Sequence, residues 1–165
     1  MAVKTISRTG TLRSSKARYI LFTCLLAGTL DMSGALLVWT IILKKVSATQ
    51  ILQGIASGVF ADEAFSGDPT MAWFGILFHY IIASSFTIFY FLIYPYIPFL
   101  RKQKILSGLL YGIFVWAFMN YVVLPFSHVH MSPFRLSSAL ISAGILMVCI
   151  GLPVSWLTSR YYEGK

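Results

Sequence analysis

ILSGLLYGIFVWAFMNYVVLPF, residues 105–126, carries no charge and a single amide, Asn120. A hydrocarbon layer about 30 Å thick takes roughly 20 apolar residues as a helix, and this run has that length. It lacks the period-two alternation of a barrel strand, and lipid demands that every backbone donor and acceptor be satisfied within the span. A membrane helix follows. Three more runs of the same kind flank it: Tyr19–Leu43, interrupted by Asp31; Met71–Ile97, carrying His79; and Phe134–Leu157.

The composition agrees. Of 165 residues, 58% are hydrophobic, 16% aromatic and 11% charged, with a mean hydropathy of +0.78, whereas soluble domains average about 25% charged. A water-soluble globular domain, a disordered chain, a collagen-like repeat and a disulfide scaffold are all excluded. The expected fold class is all-α: an integral membrane bundle of four transmembrane helices. The second and third connections are short, which predicts an up-down arrangement with antiparallel neighbours.

Thirteen basic residues orient the chain. Lys4, Arg8, Arg13, Lys16, Arg18, Arg101, Lys102, Lys104, Arg160 and Lys165 fall on one side. Lys44, Lys45 and Arg135 fall on the other, with Asp62, Glu63 and Asp68. The positive-inside rule then puts both termini in the cytoplasm. Residues 1–18 read as a basic cytoplasmic tail, 19–158 as the membrane domain and 159–165 as a cytoplasmic C-terminal tail. The acid-free start shares its Arg- and Ser-rich composition with organellar transit peptides, but a tail in the bacterial inner membrane is preferred. Tyr90, Tyr94, Tyr96, Trp156, Tyr161 and Tyr162 gather near the cytoplasmic ends, as interfacial anchors do. The net charge of +8 is spread over juxtamembrane segments, so it suits anionic lipid headgroups and not a nucleic acid, which needs a concentrated patch.

Between the first two spans, residues 47–65 are too short and polar to cross. They keep helical spacing through Leu52, Ile55, Ala56, Val59 and Phe60, which predicts a short outer-side helix, amphipathic or re-entrant. FSGDP, residues 65–69, ends it in a turn. Gly108 and Gly112, four apart in the third span, predict a close helix contact, as Gly54 and Gly58 do less strongly. Cys24 and Cys149 have neither metal-site spacing nor an exchange partner and read as small packing residues.

Ionisable residues inside a membrane face protein and mark function. Asp31 sits mid-span with Cys24, Ala27, Gly28, Gly34 and Ala35 on its side of the helix. At about 1.5 Å of rise per residue, His79 and Asn120 reach a common level in the outer leaflet. Ser137, Ser138 and Ser142 lie near that level, with Gln50 and Gln53 of the short helix above it. Asp31, Gln53, His79 and Asn120 are therefore the candidate polar cluster. One reading gives them interhelical hydrogen bonds that fix register. A second opens a cavity that binds a small ligand or passes protons. A third is a metal site on His128 and His130 with Asp62 or Glu63, although a bare H-x-H specifies neither ligand number nor geometry. No HExxH, GxSxG, P-loop or GxGxxG is present, and no cofactor is implied.

GTLD at 28–31, ILQGIASG followed by FSGD, GILFHYIIASSF around His79, SGLLYGIFVWAFMNYVVLPFS through Asn120 and Pro125, and GLPVSW resemble a group of small four-span bacterial inner-membrane proteins similar to the YagU-like family. The resemblance covers nearly all of the chain after Arg18 and implies fold and location but no reaction. The expected function is an accessory or scaffold membrane protein, as a homo-oligomer or a subunit of a larger assembly, with lipids around it and the polar cluster holding the bundle. The alternative is a small transporter or ligand-binding protein with an outer-leaflet cavity lined by Asp31, His79 and Asn120.

Overall fold

The computed structural model describes residues 9–129 and 135–163, with side chains from residue 16 onward, and no strand occurs among them. The elements are α1 (Thr9–Leu36), α2 (Ala48–Phe60), α3 (Thr70–Ile93), α4 (Pro98–Lys102), α5 (Lys104–Phe118), α6 (Leu136–Leu146) and α7 (Leu152–Glu163). Four continuous helical stretches are long and apolar enough to cross a membrane: Lys16–Ile42, Thr70–Ile93, Lys104–Val123 and Leu136–Glu163. Leu21, Phe22, Leu25, Ile81, Leu92 and Ile105 lie exposed on them, a surface that water disfavours and lipid does not. The chain is a multi-pass membrane protein of the all-α class.

Three spans widen into π-helical turns. Leu37–Ile42 continues α1, Met119–Val123 continues α5, and Met147–Gly151 joins α6 to α7. Two of the three have a covalent cause. A proline has no N–H to give and crowds the carbonyl four residues back, and Pro125 and Pro153 each stand two residues past a π turn. The ladder lengthens to a five-residue reach instead of breaking, through Leu124 N–H to the Met119 carbonyl at 2.8 Å and Leu152 N–H to the Met147 carbonyl.

The third and fourth spans approach backbone to backbone. A Cβ on Gly108 would stand 2.9 Å from the Gly151 carbonyl oxygen, and one on Gly112 would overlap the Met147 backbone. The contact expected at Gly108 and Gly112 is present, and Gly151 completes it from the other side. At Gly54 a Cβ would meet nothing within 4 Å. The first and second spans close similarly around small residues: Ala27 and Cys24 are buried, and Gly28 faces Tyr80 and Ala83. The second and third spans, by contrast, meet through rings. Phe86 contacts Phe118, Phe89 contacts Phe114, and Tyr90 contacts Tyr111 at centroid distances of 5.7, 6.0 and 4.6 Å. Large side chains on both faces hold those backbones apart, so a short connection does not by itself bring two helices close.

The serine- and tyrosine-rich end of the bundle holds most of its buried polar bonds. Tyr90 Oη donates to Ser155 Oγ at 3.0 Å and lies 3.1 Å from Ser107 Oγ. Both serines donate to the Lys104 carbonyl, at 2.7 Å from Ser155 and 3.0 Å from Ser107. Tyr94 Oη donates to Ser159 Oγ at 2.9 Å, and Tyr111 Oη to the Phe86 carbonyl at 2.6 Å. The expectation that Tyr90 and Tyr94 are interfacial anchors is thereby corrected. They are 0% and 1% exposed, because their hydroxyls find partners inside the bundle. Tyr96 and Trp156 remain exposed, as anchors require, with Arg160 4.2 Å from the Trp156 ring centre.

The short helix between the first two spans forms where the spacing predicts it. Ser47 and Gln50 make a reciprocal capping box at its start, with bonds of 2.8 and 3.2 Å. It docks on α3 at Gly75, where any Cβ would collide with the Leu52 carbonyl. A 3₁₀ turn, Ala61–Phe65, and the glycine turn at Gly67, whose φ is +89°, lead into α3. There Asp68 Oδ1 accepts the Thr70 N–H at 2.8 Å.

Candidate functional site

Asp31, Ala35 and Trp39 follow one another at steps of four along the first span and face the same way. His79, Ile82, Ala83 and Phe86 share one face of α3 at steps of three and four. Val115, Trp116, Met119 and Asn120 come from the third span, and Ser142, Ile145, Leu146 and Ile150 from the fourth. These residues, with Ile55 of α2 above them, line one cavity of about 230 Å³. At about 30 Å³ per water it has room for roughly seven. The ring-spaced gap between the second and third spans supplies the room, and two π turns put Trp39 and Asn120 on its wall.

His79 Nε2 lies 2.9 Å from the Gly28 carbonyl oxygen. A carbonyl can only accept, so Nε2 carries the hydrogen and Nδ1 is left as the ring's other hydrogen-bonding atom. Asp31 Oδ2 lies 4.0 Å from the same Nε2, with both side chains about one-seventh exposed. The pair is close enough to interact electrostatically and too far apart to share a hydrogen bond. Beside it, Thr29 Oγ1 and Tyr80 Oη are 2.8 Å apart and link the first two spans. Asn120 Nδ2 donates to the Trp116 carbonyl one turn back, at 2.8 Å, and makes no bond to a neighbouring helix among the described residues.

Asp31, His79, Asn120 and Ser142 thus share one space, as the depth arithmetic expects. Gln53 does not line it, because it stands on α2 outside the face that carries Ile55. Gln50 is engaged in the helix cap. His128 ties its loop to α2, through its N–H to the Gly58 carbonyl at 3.2 Å and Nδ1 at 3.4 Å from the same oxygen. His130 lies outside the described residues. Among the described residues no three His, Cys, Asp or Glu side chains gather as metal ligands, so His128 does not come together with Asp62 and Glu63. Sequence reasoning missed Trp39, Phe86 and Trp116 as wall residues, although the four-residue step from Asp31 through Ala35 points at Trp39. Cys24 is buried, and Cys149 Sγ fills the space beside Gly34, in keeping with packing roles.

No protein-family model matches this chain, and no curated protein or solved structure shows significant similarity to it.

Proposed function

We propose that this protein binds a small ligand inside the membrane, in the cavity that all four spans and α2 line, as a binding protein or a small transporter. One observation carries the reading. Its polar wall residues keep hydrogen-bonding capacity that the bundle does not use: Asp31 has His79 only at 4.0 Å, Asn120 bonds within its own helix, and His79 bonds across helices through Nε2 alone. A polar group in hydrocarbon is retained at a cost, and that cost is offset when a ligand completes its bonds. A scaffold role would assign the same cluster the task of holding the helices together. Most bonds that do this are made by the buried tyrosines and serines at the other end, while the cluster contributes the one from His79 to the Gly28 carbonyl.

The charge distribution supports a bacterial inner membrane with both termini cytoplasmic. The cavity then lies toward the outer face, beneath α2. Placement can be tested with a fluorescent or enzymatic reporter fused to each terminus. The cavity reading is tested by native mass spectrometry of protein released from membranes, together with a small-molecule thermal-shift screen. A molecule retained by the parent and lost on Ser142→Phe, with the melting temperature kept, supports it. Blank results on both measurements overturn it.

A further inference from the structure

Resting on that reading, we infer that the cavity selects a small organic cation with an apolar, ring-sized body. Among the described residues Asp31 is the only acidic side chain on its wall, and no lysine or arginine lines it. The hydrogen that His79 presents on Nε2 already goes to the Gly28 carbonyl at 2.9 Å, leaving the carboxyl 4.0 Å away without a hydrogen-bonded counter-charge among the described residues. An anion entering here would meet Asp31, so the site disfavours it. A bare calcium or magnesium ion would need five or more further oxygen ligands around the carboxylate. Among the described residues the wall offers only Asn120 and Ser142 as further side-chain oxygens, and no group of three His, Cys, Asp or Glu gathers there to hold an ion through His79.

The rest of the wall points to what a cation would carry. Trp39 and Trp116, from opposite sides of the bundle, and Phe86 bring three aromatic side chains to the space. Ring faces are the uncharged surfaces that attract a weakly hydrated ammonium, most strongly when water is excluded. Ile82, Met119, Ile145 and Leu146 supply apolar surface for the body. A volume of about 230 Å³ falls below the roughly 300–1,000 Å³ of drug-sized sites, so the ligand is small: one ring or a short branched chain bearing one positive charge.

The test uses two probes of equal shape, benzyltrimethylammonium and its neutral isostere neopentylbenzene. Each is titrated into the full-length protein in lipid nanodiscs and followed on the indole N–H signals of Trp39 and Trp116. The cation should move both signals in a saturable way and bind at least about tenfold more tightly than the isostere. Trp116→Leu should weaken it roughly 2- to 30-fold. Asp31→Asn, shown by its melting curve to be folded, should remove the preference between the two probes. Equal binding of both probes to the parent overturns the cation inference and leaves the cavity reading standing. Preference unchanged in Asp31→Asn also overturns it. If neither probe nor any screened molecule perturbs the indoles, both readings fall.

Discussion

Gly108 and Gly151 face each other without side chains: a Cβ on Gly108 would stand 2.9 Å from the Gly151 carbonyl oxygen, and the reverse substitution would strike the Gly108 carbonyl. Backbone, unlike a flexible side chain, has nowhere to move when a methyl group intrudes. Gly112→Leu, which collides with the Met147 backbone one turn away, should therefore cost at least about 3 kcal/mol, the upper end of ordinary overpacking. Gly144 is the internal control. A Cβ there meets nothing within 4 Å, so Gly144→Ala should shift stability by no more than about 1 kcal/mol, in the stabilising direction that helix propensity favours. Thermal melts of the two variants in one detergent decide the matter.

The hydroxyl network at the tyrosine end makes an ordering prediction. Tyr90→Phe leaves Ser155 and Ser107 still donating to the Lys104 carbonyl, so about 1 kcal/mol should be lost. Ser155→Ala takes away the acceptor of Tyr90 and a donor to Lys104 together, and should cost more, up to about 2 kcal/mol. The double variant should be less destabilised than the two losses added. Equal single losses that simply add would show that the bonds act independently.

Docking of α2 depends on a cap and a notch. Ser47→Ala should release the first turn at a cost of about 1 kcal/mol, seen as faster amide exchange at residues 48–51. Gly75→Leu should drive the Leu52 backbone away from α3 and speed exchange along the whole of α2. Unchanged exchange in Gly75→Leu would mean that α2 is held by something other than this notch.

Asp68 allows a prediction about acidity. Its carboxylate accepts the Thr70 N–H, and that bond holds it below the ordinary value of 3.8. A depressed carboxyl contributes stability that is present above the unfolded value and is lost as the pH falls through the folded one. A carbon-detected NMR titration should find its midpoint under 3.8, and Thr70→Pro, which removes the N–H, should raise it.

The spans were legible because hydrocarbon selects length and apolarity, two properties a sequence displays directly. Asp31, His79 and Asn120 were legible for a related reason: a few polar residues in long apolar runs can be placed in depth by counting residues. Tyr90 and Tyr94 misled because a tyrosine near a span end has two good environments, the lipid interface and a serine-lined interior, and only tertiary placement of Ser107, Ser155 and Ser159 separates them. Gln53 misled because depth says nothing of azimuth on a helix whose docking face is set by Gly75, a residue in another element. The gap between the second and third spans comes from rings meeting rings, a pairwise property that no single run displays.

Asp31 and His79 should separate stability from binding. His79 links two helices through the Gly28 carbonyl, so His79→Leu removes an interhelical bond and should cost about 0.6–2 kcal/mol. Asp31 makes no hydrogen bond of its own among the described residues and meets His79 only at 4.0 Å. Asp31→Asn replaces an ionisable carboxyl in an apolar surrounding by a neutral amide of the same shape without breaking a bond, so its melting temperature should hold or rise, by up to about 2 kcal/mol in stability. A cluster whose purpose was to hold the bundle would lose stability in both variants, and a ligand site keeps it in the second while losing its ligand. Paired melting and binding curves for the two proteins, prepared side by side, distinguish these cases. A destabilised Asp31→Asn with binding intact would assign the carboxyl to the framework.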